Sequence, residues 1–304
     1  MHVFYENTIH FTPDDSSRYD TPPVVAQDKG RVITRTIDLS SPAHPVRVIA
    51  HLAVRPIPKD ERNMHDRWDR AGNVRLSFPG SPDIEVVKFI TAYGGETVHD
   101  VDVTHLLPLF DGTCTFKGFI DTWVTSAWKM DFSLEFRPVE NRENPDWVEG
   151  LISEENMSEE KLRTGPLTIQ VDVPSDITRL VMNYLSTGHC TDGRGADEFE
   201  SKHNVVTVDG EEVYRYKPWR DDCVRFRAVN PYCARWADGS WSPDYSRSGW
   251  CPGDAVAPIE IDLTGYLTPG RHVIGFYVEG VRPRDDDGHF GYWRVSSHLL
   301  GWRE

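Results

Sequence analysis

The sequence predicts an all-β protein, on three grounds: a hydrophobic period of two, turn dipeptides between the periodic segments, and very little helical pattern. In the clearest segment, from Val46 to Val54, apolar residues occupy every second position. This alternation is typical of a strand with one buried face. The other segments with this pattern are EVVKFITAY, TCTFKGFIDTW, MDFSLEF, LTIQVDV, NVVTVDG, PIEIDL and HVIGFYV.

Turn dipeptides separate these segments. Dipeptides that combine Gly with Pro or Asp mark tight turns, and tight turns join antiparallel strands, whereas parallel strands need long crossovers. The sequence therefore predicts antiparallel sheets. The clearest examples are Pro79-Gly80, Asp111-Gly112, Asp209-Gly210 and Pro269-Gly270.

One segment departs from the strand pattern. It has the sequence ISEENMSEEKLRTG and ends at Gly165. Ser153 followed by Glu154 and Glu155 is a helix start signal, and the closing glycine is a stop signal. The segment predicts one short helix.

The length predicts two domains, since the chain has 304 residues and domains average roughly 150 residues. The stretch PVENRENP, residues 138–145, is polar and bounded by proline, which is typical of a domain boundary. We therefore expect domains at residues 1–140 and 141–304. Two β-sandwiches of similar size follow, each predicted to be a jelly roll.

Charge and hydrophobicity exclude several classes of partner. The formal net charge is -15, so the average field repels a polyanion and no nucleic-acid partner is expected. No apolar run approaches the roughly 18 residues of a membrane span, so no membrane partner is expected. The N-terminal stretch MHVFYENTIHF lacks the pattern of a signal peptide, which predicts either a mature form or an intracellular protein.

Five cysteines occur without CxxC pairs, which disfavours a closed zinc site. Three of them fall between Cys223 and Cys251, in a stretch rich in Trp, Pro and Gly. Two interpretations stay open from the residues alone: a disulfide that closes this long loop, or buried thiols. The other cysteines are Cys114, Cys190 and Cys233.

Three polar clusters are candidates for function. The stretch MHDRWDRAGNVRLSF, from Met64 to Phe78, leads a charged group into a strand, and Asp121 closes another strand beside Trp123. The ordinary interpretations are a solvated loop and a strand-end cap. The third cluster is the loop from Ser186 to Asn204, which suits either a solvated turn or calcium, although it lacks the regular oxygen spacing of a helix-loop-helix site. Its acidic and histidine residues are His189, Asp192, Asp197, Glu198, Glu200 and His203.

Eight sequence blocks resemble the bacterial peptide:N-glycosidase F family in order and approximate spacing. They are RWDRAGNV, FITAY, DVDVTHLL, DTWV, MDFSLEF, TGHC, RGADEF and SRSGWCPGDAVAP, of which WDR and SGWCPG are the most specific. The resemblance spans both halves of the chain. It implies two antiparallel eight-stranded jelly rolls packed side by side, with an active site in the cleft between them.

The resemblance also implies roles for single residues. Asp69 matches the primary catalytic aspartate of the family, and Glu198 matches a glutamate on the opposite wall. Asp121 stands where the family has a glutamate, so this side chain is one methylene shorter. Five further residues match cleft positions that bind the sugar or orient the carboxylates: Trp68, Arg70, Trp123, His189 and Arg247.

Two positions differ from the family pattern at the expected sugar-stacking surface. Phe199 and Thr187 stand where the family has tryptophan, which predicts weaker stacking on the glycan. Cys223 and Cys251 match a family disulfide. A pairing of Cys190 with Cys233 is a second candidate.

The implied activity is that of an amidase that releases N-linked glycans. It hydrolyses the asparagine side-chain amide bond to the innermost N-acetylglucosamine and leaves aspartate in the peptide. Carboxylates suit this reaction because water must be activated and the departing glycosylamine stabilised. The expected substrates are N-glycosylated peptides and proteins. The resemblance predicts a monomer without metal or cofactor, secreted or periplasmic.

Three alternatives are weighed against the amidase. A pair of carboxylates suits a glycoside hydrolase equally well, and only the resemblance favours amide cleavage. A non-catalytic, lectin-like protein is the main alternative, since ten Trp and eleven Tyr supply ample stacking surface. A copper monooxygenase with paired jelly rolls needs several His ligands, and the twelve His residues form no His-x-His pair.

Overall fold

A computed structural model of the chain describes residues 1–14, 17–141, 143–191, 197–235 and 237–303. The chain packs as two compact units. Unit 1 comprises Met1–Asn144, Asp222–Asp244 and Cys251–Val256, and unit 2 comprises Pro145–Asp221, Tyr245–Trp250 and Ala257–Glu304. The boundary expected from the sequence places Asp222–Asp244 and Cys251–Val256 in the second domain. In the structure these two segments pack with unit 1. The domain division at residue 140 stays a prediction.

Strands dominate the described part of the chain, with 51% of residues in strands and 9% in helices, which confirms the all-β prediction. In chain order the strands are β1 (His2–Ile9), β2 (Val25–Gln27), β3 (Val32–Leu39), β4 (Val46–Pro56), β5 (Ala71–Ser77), β6 (Ile84–Ile90), β7 (Thr97–Asp102), β8 (Gly112–Ile120), β9 (Trp128–Pro138), β10 (Trp147–Ser158), β11 (Leu167–Val173), β12 (Ile177–Cys190), β13 (Asn204–Val208), β14 (Glu211–Tyr216), β15 (Ala255–Val256), β16 (Ile259–Asp262), β17 (Gly270–Val278) and β18 (Gly291–Arg303).

The predicted alternation is present in β4. Its apolar row from Val46 to Val54 is buried, and Arg47 on the other face is exposed. A tight turn joins β13 to β14 at Asp209 and Gly210, which both have positive φ, as a type I′ hairpin turn requires. Strand pattern and turn chemistry thus act together to set the antiparallel pairing.

Unit 1 contains two antiparallel sheets. Their strand orders are β1-β9-β4-β7 and β15-β6-β5-β8-β3-β2. In the second sheet β5 lies between β6 and β8, with Ala71 opposite Ile90 and Gly72 opposite Ile120. The residues that precede β5, including Asp69, therefore lie beside the end of β8 and the residues that follow it.

Unit 2 also contains two antiparallel sheets, with the orders β10-β18-β12-β16 and β11-β17-β13-β14. A cluster of buried apolar residues fills the space between them and includes Tyr184, Phe276 and Trp293. With the short strands β2 and β15 set aside, both units share one order: first-eighth-third-sixth in one sheet and second-seventh-fourth-fifth in the other. The jelly-roll topology stays a prediction, and this shared order supports it.

The predicted helix is only partly correct. Helix α1 (Glu159–Leu162) is a single turn, and residues 152–158 of the predicted helix belong to β10. Met157 is fully buried and lies opposite Trp293 of β18. Pairing with a neighbouring strand and burial of this side chain outweigh the local helix start signal at Ser153.

Cys223 and Cys251 form a disulfide, as the resemblance implied. The second predicted pair is wrong, because Cys190 and Cys233 are both thiols, as is the buried Cys114. The disulfide joins the two later segments of unit 1. Between its cysteines, Asn230 binds this region to the sheet by accepting the Tyr93 N–H at 2.8 Å.

No helix in the described residues is long and apolar enough to span a membrane.

Candidate active site

A buried carboxylate holds the segment that carries Asp69. Asp66 is 1% exposed. Its Oδ2 accepts hydrogen bonds from Arg70 Nε at 2.9 Å and from Thr122 Oγ1 at 2.7 Å. Its Oδ1 accepts from Arg70 Nη2 and from the Trp68 N–H, both at 3.2 Å. Since a carboxylate has about four acceptor positions, these four bonds satisfy the buried charge.

Thr91, just after β6, fixes the same segment from the other side. Its hydroxyl donates to the Trp68 carbonyl at 3.0 Å and accepts the Arg70 N–H at 2.8 Å. Its own N–H donates to the Arg70 carbonyl at 2.8 Å. Asp69, which is half-buried, thus stands between two residues whose backbone is held in place.

Asp121 follows directly after β8. Its N–H donates to the Ala71 carbonyl at 2.9 Å, which extends the pairing of β5 with β8 by one residue. Asp121 therefore lies opposite Ala71, two residues from Asp69 along the neighbouring segment. Arg31 Nη1 donates to Asp121 Oδ1 at 3.2 Å.

Two exposed tryptophans flank these carboxylates in sequence. Trp68 is 51% exposed and Trp123 is 58% exposed. Each contacts a second ring, Trp68 with Tyr93 at 6.2 Å and Trp123 with Phe11 at 5.2 Å between centroids. The Arg31 guanidinium lies 4.6 Å from the Trp123 ring centroid. Exposed aromatic rings that neighbouring side chains hold in place are suitable surfaces for stacking a sugar.

In unit 2, Glu198 pairs with an arginine that is almost wholly buried. Arg247 Nε donates to Glu198 Oε1 at 3.2 Å, and the Cys190 thiol donates to Glu198 Oε2 at 3.4 Å. The Arg247 guanidinium lies 4.9 Å from the Phe199 ring and 4.8 Å from the Trp250 ring. Packing between two aromatic rings fixes the arginine, and the arginine in turn orients the carboxylate.

His189 is largely enclosed within unit 2. It is 7% exposed, and its ring stacks between Trp250 and Tyr292 at 5.4 Å from each centroid. Its Nε2 shares a hydrogen bond with Thr187 Oγ1 at 2.9 Å. Through Trp250, His189 supports the position of Arg247.

Asp197 anchors the residue next to it, Glu198. Asp197 is fully buried, with its Oδ1 accepting from Trp293 Nε1 at 2.8 Å and pairing with Lys202 at 3.1 Å. The Gly188 position must lack a side chain, because a Cβ there would lie 2.1 Å from the Asp197 carbonyl. The backbone at Glu198 is therefore closely packed against β12.

In the described residues, no group of three or more His, Cys, Asp and Glu side chains has an arrangement suited to a metal ion. Asp197, one of the candidate calcium ligands, is engaged by Trp293 and Lys202. Asp192, another candidate, lies outside the described residues.

Comparison with known proteins connects this geometry to a family. The family described as "Peptide-N-glycosidase F, C terminal" matches residues 157–300. The curated peptide-N(4)-(N-acetyl-β-D-glucosaminyl)asparagine amidase F of Elizabethkingia miricola is 24% identical over 219 residues, which cover 65% of this chain. The C-terminal half of the chain is therefore similar to the peptide-N-glycosidase F family in sequence. The matched region spans 58% of that curated relative.

Solved structures show that the fold of the peptide-N-glycosidase F family covers the whole chain. PNGF-II, solved in a C2 crystal form, has a TM-score of 0.87 and 21% identity, and covers 100% of this chain and 65% of its own. PNGase F, titled a glycosylasparaginase from Flavobacterium meningosepticum, has a TM-score of 0.76 and 18% identity, with coverage of 100% and 95%.

The residues predicted from the peptide-N-glycosidase F resemblance form two groups, one in each unit. In unit 1, Asp66 and Thr122 connect the segment that contains Trp68, Asp69 and Arg70 to the one that contains Asp121 and Trp123. In unit 2, Arg247 contacts Glu198 and Phe199, and Trp250 links it to His189.

Sequence reasoning missed four residues that hold these groups together. Asp66 lies inside the charged stretch that opens at Met64, but nothing in the stretch separates its role from that of Asp69. Asp197 lies in the loop considered for calcium, and Trp250 lies in the block SGWCPG. Arg31 has no local signal, because its contact with Asp121 depends on the pairing of β3 with β8.

Proposed function

We propose that the protein is an amidase that releases N-linked glycans by hydrolysing the bond between the asparagine side-chain amide and N-acetylglucosamine. The observation that carries the proposal is the pair of carboxylates, Asp69 and Asp121, on adjoining ends of β5 and β8, each beside an exposed tryptophan. Similarity to the peptide-N-glycosidase F family supports the reaction class.

In this proposal Asp69 orients and deprotonates the attacking water. The water oxygen bonds to the side-chain carbonyl carbon, and the carbon–nitrogen bond breaks. The sugar departs as a glycosylamine, whose nitrogen takes up the proton that Asp69 removed from the water, while the peptide keeps an aspartate. Asp69 suits this role because hydrogen bonds fix the backbone of its two neighbours, Trp68 and Arg70. This supplies the orientation that general-base catalysis needs.

Glu198 is proposed to bind the amide or the first two sugars of the glycan. The Arg247 guanidinium at 3.2 Å favours the ionised carboxylate and fixes its direction. Because Arg247 is buried between aromatic rings, it keeps this position without the substrate.

Asp121 has a secondary role in the reaction. Its side chain is one methylene shorter than the glutamate of the family, and Arg31 holds it at 3.2 Å. We propose that it reaches the scissile amide through a water molecule. Trp68, Trp123 and Phe199 provide the apolar surfaces for the sugars. Arg70 acts through Asp66, which also accepts the Trp68 N–H, and His189 supports Trp250.

The test is mass spectrometry of a denatured N-glycoprotein incubated with the protein in water enriched in oxygen-18. The proposal predicts that each released site becomes aspartate and carries one heavy oxygen. An endoglycosidase would leave one N-acetylglucosamine on asparagine, and a lectin would leave the glycoprotein unchanged. Either of these two results would contradict the proposal.

We further propose a secreted or periplasmic location. A disulfide between Cys223 and Cys251 persists in oxidising compartments and is rare in reducing ones. N-glycoproteins are extracellular substrates, which fits the same location. Immunoblotting of culture medium, periplasm and cytosol from the native host tests this assignment.

A further inference from the structure

Asp66 lies where two segments of the candidate site meet. One segment precedes β5 and contains Trp68, Asp69 and Arg70. The other follows β8 and contains Asp121, Thr122 and Trp123. We infer that Asp66 is a positioning residue for hydrolysis, which sets the two segments relative to each other. This inference rests on the proposed amidase activity.

The hydrogen bonds of Asp66 reach the residues adjacent to each proposed functional side chain. On one segment it binds the Trp68 N–H and the Arg70 guanidinium, the residues on either side of Asp69. On the other segment it binds the hydroxyl of Thr122, the residue between Asp121 and Trp123. A movement of Asp66 therefore displaces both carboxylates and both exposed rings.

Thr91 and Asp66 have different tasks. Thr91 fixes the backbone of the first segment to the end of β6 through hydrogen bonds with Trp68 and Arg70. The Asp66–Thr122 bond at 2.7 Å joins the first segment to the second by side chains. The Thr122 hydroxyl also accepts the Val124 N–H at 3.2 Å, which fixes the chain just beyond Trp123.

Charge and burial make Asp66 hard to replace. The side chain is fully enclosed, and all four of its acceptor positions are occupied. An asparagine has the same shape, but in either orientation its amide nitrogen would face a donor of Arg70, together with Thr122 or the Trp68 N–H. The arginine or the threonine would then have to turn away, and the contact between the segments would loosen.

The first test is Asp66→Asn, measured by steady-state kinetics on one defined N-glycopeptide. We expect kcat to fall on the order of 10- to 100-fold, because a displacement of about 1 Å costs that much when orientation is the catalytic factor. KM should change by less than about threefold, because the contacts that bind the sugar equally in the ground state and the transition state are retained. A loss confined to KM would overturn the inference.

Asp60→Asn is the matched control. Asp60 lies in the same loop, is exposed, and accepts the N–H groups of Arg62 and Asn63. The Asp60→Asn variant carries the same chemical change but alters neither segment. Its kcat should therefore equal that of the parent protein.

Substitution of Thr122 keeps the inference testable if Asp66→Asn does not fold. Thr122→Val has nearly the same shape and removes the hydroxyl, so it should lower kcat in the same direction as Asp66→Asn. Thr122→Ser restores the hydroxyl and should recover most of the activity. Equal activity of Val and Ser variants would overturn the inference.

These results separate the inference from the proposed function. A parent protein that releases no glycan would overturn the amidase and this inference with it. An active parent with an equally active, folded Asp66→Asn variant would overturn the inference alone. A folded Asp66→Asn variant with low kcat and unchanged KM, beside an active Asp60→Asn control, would support both.

Discussion

Arg247 donates from Nε to Oε1 of Glu198 at 3.2 Å while its own side chain is almost wholly enclosed. The guanidinium is planar and stacks on the rings of Phe199 and Trp250. A lysine ammonium is a point charge that cannot reproduce both the stacking and the directed bond. Replacement of Arg247 by lysine should therefore weaken its interaction with Glu198, even though the positive charge is kept.

We predict that Arg247→Lys lowers kcat/KM for a glycopeptide by roughly tenfold or more, by the loss of a charge-assisted hydrogen bond worth about 1.5 to 3 kcal/mol. Glu198→Gln should lower it at least as much. Parallel kinetics on the parent protein and Arg271→Lys, an exposed arginine of the same unit, provide the comparison. Unaltered kinetics in Arg247→Lys would exclude Arg247 as the partner that orients Glu198.

The role of Asp121 can be tested in both directions. Asp121→Asn should reduce kcat less than the same change at Asp69, because we propose that Asp121 reaches the substrate through water. Asp121→Glu should keep or raise kcat, because it restores the reach of the family glutamate. The measurement is kcat for the three variants on one glycopeptide. A greater loss in Asp121→Asn than in Asp69→Asn would reverse the assignment of the two carboxylates.

The disulfide should contribute measurably to stability. Replacing both Cys223 and Cys251 by serine should lower the free energy of unfolding by about 2 to 4 kcal/mol, on loop-closure reasoning. Urea denaturation of the double variant and the parent protein measures this difference. Cys233→Ser is the control, since Cys233 is a thiol in the same loop. An equal loss in that control would argue against the disulfide as the cause.

His51 should make stability depend on pH. The hydrogen bond with Asp100, together with the one to Glu135, raises the pKa of His51 above 6.5 despite partial burial. The folded state therefore favours the protonated ring, and this contribution is full below pH 6.5. It is lost as the pH rises through the raised pKa.

His51→Gln should remove this loss of stability between acidic and alkaline pH. Glu135 stays ionised throughout, because hydrogen bonds from Arg137 and then His51 lower its pKa to about 2. The measurement is the urea midpoint below pH 6.5 and again above the raised pKa of His51, for the parent protein and the variant. Identical pH dependence in the two proteins would show that His51 makes no such contribution.

Much of the fold follows from the sequence, since alternation identifies strands such as β4, β9 and β17. Residues whose role depends on strand register cannot be predicted in this way. Asp66 and Thr122 are 56 residues apart in the chain. They meet only because β5 pairs with β8, and no local pattern encodes that register. The same reasoning explains Arg31, whose contact with Asp121 requires β3 beside β8.

The incorrect part of the helix prediction has a similar origin. The start signal at Ser153 is a local preference, whereas the burial of Met157 against β18 is a tertiary effect. The tertiary effect decides the structure because it removes a large apolar side chain from water. The pairing of Cys223 with Cys251 came from family resemblance, because five cysteines alone leave many pairings open.

The most direct test of the account is deglycosylation by Asp69→Asn beside the parent protein. The change keeps the shape of the side chain and removes its charge. The account predicts release slower on the order of 100-fold or more, by the loss of a general base, with folding and glycan binding largely retained. Circular dichroism and calorimetric titration with the glycopeptide check those two properties. An Asp69→Asn variant that converts asparagine to aspartate as fast as the parent would contradict the central claim.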